Sequence, residues 1–136
     1  MERYFVDTSF LVSRFNHRDA NHAAAIGFLQ SRSTRPMRWI ISDYVFDETV
    51  TTVLATTRRR DLAEEVGETI LRSPIVQMDR IDEALFDDAW DLFRRRKDKF
   101  WSFTDCSSFA LMRRRGIPRA LTFDGNFAES GFEMVP

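Results

Sequence analysis

Four short apolar runs punctuate the chain: "RYFV" at 3–6, "RWIIS" at 38–42, "PIVQM" at 74–78 and "RALTF" at 119–123. Each is followed or preceded by a stretch patterned for helix, and this alternation restricts the fold more than any other feature. Neighbouring parallel strands need a crossover, normally a helix, whereas antiparallel strands can be joined by a tight turn. Strands alternating with helices therefore predict βαβ units and a parallel sheet covered on both faces. The expected form is α/β, a three-layer α/β/α sandwich around a short, mostly parallel central sheet, with residues 1–136 in a single domain. "FEMV" at 132–135 is long enough to add a fifth strand.

The intervening segments give the helices. Residues 19–30 form one, with Asp19 as N-cap and Ala20, Ala23, Ala24, Phe28 and Leu29 on its inner face. Ser42 or Asp43 caps a second that runs to about residue 57, with Phe46, Val50, Val53 and Leu54 as its apolar stripe. Residues 61–72 form a third, left at Pro74. A fourth spans 81–96, with Ala84, Leu85, Ala89 and Leu92 in register. The last starts at Thr104 or Asp105 and runs to Arg115, where Gly116 and Pro118 stop it.

Composition agrees with a globular chain: 43% of the 136 residues are hydrophobic, including 13 Phe and 3 Trp. Twenty basic residues against 21 acidic ones leave a net charge of −1, so only the local charge distribution can speak for a polyanionic partner. Cys106 is the sole cysteine, which excludes an intramolecular disulfide. No signal pattern and no apolar run of roughly 18 residues is present, so a cytoplasmic location is expected.

In open α/β sheets, ligand sites gather at the carboxyl ends of the strands. Asp7 follows "RYFV" and Asp124 follows "RALTF". Asp105 sits at a helix start, where the dipole favours a carboxylate, and Glu48 lies in the second turn of the helix after the second strand. Several carboxylates together repel, and a divalent ion such as Mg²⁺ or Mn²⁺ removes that repulsion while taking hard oxygen ligands. Each acid also has a plain structural role: Asp7 as an N-cap, Asp105 as a first-turn acid, Asp124 as a turn residue in "FDGN". Glu48 falls opposite the Phe46 stripe, with Asp43 and Asp47 as nearby acids.

The order and context of these acids resemble the PIN-domain nucleases and, within them, the VapC-like toxins of toxin–antitoxin pairs. The matching segments are "YFVDTSFLVSRFNHRDANHAAA", "ISDYVFDETVTTVL", "FTDCSSFALMRRRGI" and "ALTFDGNFAESGFEMVP", which run the length of the chain. The resemblance implies a metal-dependent endoribonuclease whose catalytic, metal-binding acids are Asp7, Glu48, Asp105 and Asp124. It also implies an RNA substrate, a small antitoxin partner, a homodimer, and a hydroxyl at Thr8 or Ser9 that orients a ligand or water. Cys106 stands where a small residue is common, and Asn126 follows the fourth acid where the pattern often has a charged residue or His. The same resemblance leaves two other readings: a PIN ribonuclease of RNA maturation or turnover, and a catalytically silent RNA-binding regulatory domain. A phosphoryl-transfer receiver domain fits poorly, because "VDTS" and "TFDGN" lack its adjacent acids and its late lysine.

Four other features remain. His17 and His22, the only histidines, lack metal-site spacing and read as packing or capping residues. Three basic clusters, Arg58-Arg59-Arg60, Arg94-Arg95-Arg96-Lys97 and Arg113-Arg114-Arg115, each end a helix. Dipole capping explains all three, and at least one is expected to meet RNA phosphates. Trp101 and Phe103, just before Asp105, are candidates for stacking on a base, with a core role favoured for Phe103.

Overall fold

A computed structural model describes residues 1–136. Its five strands are β1 (Glu2–Val6), β2 (Met37–Ser42), β3 (Val76–Asp79), β4 (Arg119–Leu121) and β5 (Glu133–Val135). All pair in parallel, in the order β3-β2-β1-β4-β5. Seven helices connect them: α1 (Thr8–Phe15), α2 (His22–Ser31), α3 (Asp43–Thr57), α4 (Arg60–Arg72), α5 (Glu83–Arg95), α6 (Phe103–Arg115) and α7 (Asn126–Glu129). This is the sandwich that strand–helix alternation predicts.

The strand order explains the layers. From β1 the chain steps to β2 and then β3, then returns across the sheet to β4 on the other side of β1. Crossovers are right-handed in nearly all proteins, so reversing the direction of travel moves the connecting helices to the opposite face. Helices α1–α4 therefore cover one face, and α5, α6 and α7 the other. Successive residues of β1 show both sides: the Tyr4 ring meets Phe28 of α2, whereas the Phe5 ring meets Phe127 of α7. Tyr4, Phe5 and Val6 are all fully buried, as a central parallel strand requires. Phe10 packs against Phe28, Trp39 and Phe123 on one side, and Phe109 against Trp101, Phe127 and Phe132 on the other. Burying each such ring contributes roughly 1.5–3 kcal/mol.

Three helix faces differ from the sequence expectation. In α2 the buried residues are Ala25 and Phe28, while Ala20, Ala23 and Ala24 face solvent. The helix starts at His22 because Asp19 does not cap it: Asp19 Oδ1 accepts from Ser13 Oγ and from the Asn21 amide, closing a turn ahead of the helix. In α3 the buried line is Val45, Thr49 and Val53. Phe46, Val50 and Leu54 form a second, half-buried line beside it. Gly67 of α4 lets the two helices close, since a Cβ there would lie 3.3 Å from the Phe46 ring and 3.4 Å from Val50. In α5 only Leu85 and Ala89 of the four expected residues are buried; Ala84 is exposed and Leu92 half-buried.

Helix α6 carries the heaviest burial. Asp105, Cys106, Ser107, Ser108, Phe109, Leu111 and Met112 are all buried. Its start is set by a reciprocal capping box between Ser102 and Asp105, and its end by Gly116 in the left-handed region at φ 64°. The arginines of its last turn are spent on the fold. Arg113 reaches Ser130, Arg114 binds Asp82 at 2.9 Å, and Arg115 forks onto both oxygens of Asp79 at 2.7 and 2.8 Å. No helix is long and apolar enough to cross a membrane.

Candidate functional site

The crevice where the strand order reverses lies between β1 and β4, at their carboxyl ends, and it is there that the acids meet. Asp7 leaves β1 and Asp124 leaves β4. Asp105 comes from the first turn of α6, and Glu48 from α3. All four line one cavity of about 410 Å³, together with Thr8, Ser13, Asp19, Thr52, Phe100 and Ser102 among others.

Asp7 is both a helix cap and a member of the acidic group. Its Oδ2 accepts from the Ser9 amide at 3.3 Å, from Ser9 Oγ at 2.7 Å and from Thr122 Oγ1 at 3.0 Å. The same hydroxyls accept from the next strand's exit: the Phe123 amide donates to Ser9 Oγ, and the Asp124 amide to Thr122 Oγ1, each at 2.9 Å. The ends of β1 and β4 are thus stapled through one carboxylate oxygen. Only 4% of Asp7 is exposed. Burial is the main cause that pushes its carboxyl up to about 6; the Asp105 charge adds to this, and the bonds from Ser9 and Thr122 oppose it.

Asp105 is held as firmly. The Ser102 amide and Asn126 Nδ2 both donate to its Oδ2 at 3.1 Å, and the Asp105 amide donates back to Ser102 Oγ at 3.0 Å. Burial raises its carboxyl above the usual range, and the nearby Asp124 charge adds to the effect. Asp124 Oδ1 accepts from the Asn126 amide at 2.9 Å. Asn126 therefore clamps two of the acids, a role its place in "FDGN" did not reveal.

Glu48 is half-buried and lines the cavity with Thr52, one helical turn on. The reason it is not turned away to solvent is the shifted inner face of α3. Measured from Val45, Thr49 and Val53 rather than from Phe46, Glu48 sits roughly a quarter-turn to the side. Its neighbours are elsewhere: Asp47 is exposed and takes a long bond from Thr51, and Asp43 accepts from the Ile81 amide at 2.8 Å.

The donor set fits a hard divalent cation. It is carboxylate and hydroxyl with one amide, Asn21, and there is no thiol or imidazole in the cavity. Each aspartate has one oxygen held by protein donors, while Asp7 Oδ1, Asp105 Oδ1, Asp124 Oδ2 and both Glu48 oxygens accept no hydrogen bond from the protein. The carboxylates do not collapse together, and no three of the chain's His, Cys, Asp and Glu side chains form a preformed metal cluster. Burial is the main cause of the raised Asp7 and Asp105 carboxyls, and a neighbouring carboxylate raises each further. Thr8 Oγ1 is buried at the cavity wall with no partner, whereas the Ser9 hydroxyl is fully committed.

The remaining candidates resolve simply. His22 Nδ1 lies 2.7 Å from the Ser13 carbonyl and its ring packs on His17, a structural role. Trp101 is 4% exposed and donates to Glu129, so it offers no stacking face to this cavity. Phe103 is half-buried among Tyr44, Phe86, Trp90 and Phe93. The exposed ring of this loop is Phe100, which sequence reasoning passed over. Asp19, at the cavity's far side, was read only as a cap.

Comparison with known proteins places this geometry. The family model described as "PIN domain" matches residues 4–133. The "23S rRNA-specific endonuclease VapC20" of two Mycobacterium tuberculosis strains is 35% identical over 131 residues, covering 96% of each chain. The crystal structure of M. tuberculosis VapC20, described as a sarcin–ricin loop cleaving toxin, superposes with a TM-score of 0.85 at 33% identity over 95% of both chains. VapBC2 from Rickettsia felis, bound to a promoter DNA fragment, shares the fold with a TM-score of 0.72 at 12% identity, over 98% of this chain and 97% of that one.

Proposed function

The chain belongs to the PIN-domain family, and on that premise we propose that it is a metal-dependent endoribonuclease, the toxin half of a toxin–antitoxin pair. The observation that carries this is the acidic cavity itself. Three aspartates are each tied down by one oxygen and present the other, at the point where an α/β sheet binds its ligand.

Asp7, Glu48, Asp105 and Asp124 would hold a hydrated Mg²⁺ or Mn²⁺ ion. Bound there, such a cation supplies charge against a scissile phosphate and lowers the pKa of an attacking water. The chain's own groups prepare the site. Ser9, Thr122, Ser102 and Asn126 orient the carboxylates by holding their other oxygens. The Thr8 hydroxyl, buried and free, is placed to orient a water or an RNA oxygen. No Cys or His nucleophile takes part, and Cys106 is inert: burial first, then the Asp105 charge, push its thiol up to about 11.

The relatives named for 23S rRNA cleavage make ribosomal RNA the first substrate to try. The partners we propose are that RNA, a small antitoxin and a second copy of the chain. The antitoxin would silence the cavity by setting a basic side chain among the carboxylates, an arginine being best matched to them by its planar fork. The test is incubation of purified 23S rRNA with the protein and Mg²⁺ or Mn²⁺, with cut sites mapped by primer extension. Discrete cuts that vanish in excess chelator and with Asp105→Asn are expected. Intact rRNA after prolonged incubation with either ion, or cleavage that survives the chelator, would overturn the reading.

A further inference from the structure

The acidic cavity shares a wall with a second one. Along the loop from α5 to α6 the residues divide: Lys97, Lys99 and Trp101 line the second cavity, while Phe100 and Ser102 line the acidic one. The first turn of α6 continues the partition, with Asp105 on one side and Cys106 on the other.

Their chemistry is opposite. The second cavity, of about 420 Å³, has four cations in its wall, Arg94, Arg96, Lys97 and Lys99, and no carboxylate. Arg94 pairs with Asp91 at 3.2 Å, Arg96 with Asp98 at 3.1 Å and Lys99 with Glu129 at 3.5 Å, and Lys97 has no partner. Exposed pairs of this kind are weak, so these cations remain available to phosphate. Aromatic rings stand among them. Trp90 and Phe93 lie parallel within 11°, with centroids 5.8 Å apart, and both are nearly half exposed. Arg96 sits 5.1 Å over the Trp101 ring. On the acidic side of the partition Phe100 is fully exposed, with nothing of the protein packed over it.

A ring left bare beside an anionic cavity, backed by cations on a chain of net charge −1, matches a polyanion with planar faces. Rings of this kind stack on bases only when those bases are unpaired. We propose that this surface is a subsite for the unpaired nucleotides next to the scissile phosphate. Phe100 stacks on the base beside the acidic cavity, and the second cavity takes the neighbouring nucleotides, with phosphates on its cations. The inference rests on the nuclease reading above and adds which surface of this chain receives the unpaired strand beside the cut, and through which side chains. It also picks out the basic cluster at 94–97, since that at 113–115 lines neither cavity.

The test separates binding from cleavage. Affinity for a short labelled single-stranded RNA is read by fluorescence anisotropy in excess chelator, on an Asp105→Asn background. The same strand annealed to its complement is the comparison. Phe100→Ala should weaken single-strand binding roughly tenfold, in line with the loss of one stacked base, and Phe100→Trp should restore it. Phe100 is fully exposed, so its truncation leaves the melting temperature unchanged. Lys97→Glu should weaken binding more than Arg72→Glu, an equal charge change outside both cavities. Unchanged affinity in Phe100→Ala, equal losses in the two charge reversals, or equal losses for single strand and duplex would each overturn the proposal. Any of these would leave the surface as a face for a protein. Because the readout is binding without metal, it fails independently of the cleavage assay.

Discussion

The two cavities on either side of the α5–α6 loop are built on opposite terms. In the acidic one, Asp7 and Asp105 are buried and each takes its position from several donors; the staple from Ser9 and Thr122 and the capping box at Ser102 belong to the fold as much as to the site. In the cationic one, Arg94 and Lys97 are exposed and Arg96 and Lys99 half-buried, each with one carboxylate partner or none. The difference teaches where precision is invested. Chemistry on a phosphate needs oxygens held within fractions of an ångström, whereas grip on a flexible polyanion needs charge and flat surface with latitude to adapt.

The contrast can be broken most decisively by kinetics. Asp105→Asn should cut RNA cleavage by on the order of 10³ while leaving RNA affinity intact, whereas Phe100→Ala should raise KM and spare kcat. Steady-state cleavage of one RNA by both variants checks this, and an equal loss of kcat in the two would erase the distinction between the cavities.

Calorimetry or a thermal melt sharpens the contrast without any substrate. Saturating Mg²⁺ or Mn²⁺ at about a hundredfold over its Kd should stabilise the wild type by about 2.7 kcal/mol, a rise of several degrees for a domain of this size. Glu48→Gln and Asp124→Asn should abolish the rise, and Lys97→Glu should keep it.

Asp7→Asn in the presence of a chelator should make the protein more stable at pH 7 by about 3 kcal/mol, judged by urea unfolding. The folded carboxyl sits at about 6 against an ordinary value of 3.8, and each unit is worth about 1.4 kcal/mol. The folded state thus binds the proton more tightly than the unfolded one, so wild-type stability falls as pH rises from about 4 to about 6 and is level beyond. The gain from Asn should vanish at pH 4. Asn keeps an oxygen for the bonds from Ser9 and Thr122.

The smallest effect is expected at Asn126. Asn126→Ala removes the bond to Asp105 but keeps the backbone bond to Asp124, and should lower kcat by about tenfold, the scale of one hydrogen bond to a charged group. An unchanged kcat would show that the capping box alone positions Asp105.

Legibility in the sequence followed the same division. Asp7, Asp105 and Asp124 were readable because strand ends, helix starts and turns are local signals, and the same residues serve there as caps. Glu48 was placed by context, but the reason it faces the cavity was not visible: α3 carries two adjacent apolar lines, at 45/49/53 and 46/50/54, and only packing against α4 decides which is innermost. Asp19 was misread because an N-cap and a turn acid look alike until Ser13 is brought beside it. Phe100 and Trp101 differ only in which way one extended loop turns each ring, and no pattern within the loop encodes that. Asn126 was noted only as a departure from the family pattern, since its partner lies 21 residues away.

The staple between β1 and β4 has one more consequence, for slow motion. The amides of Phe123 and Asp124 donate to the hydroxyls of Ser9 and Thr122, not to a neighbouring strand. The Phe123 proton exchanges when the β4 exit lifts away from Ser9, and the Asp124 proton when Thr122 Oγ1 turns from it. Deuterium uptake at these two positions is thus a clock on the assembly of the acidic cavity itself, running in the resting protein with no RNA and no turnover.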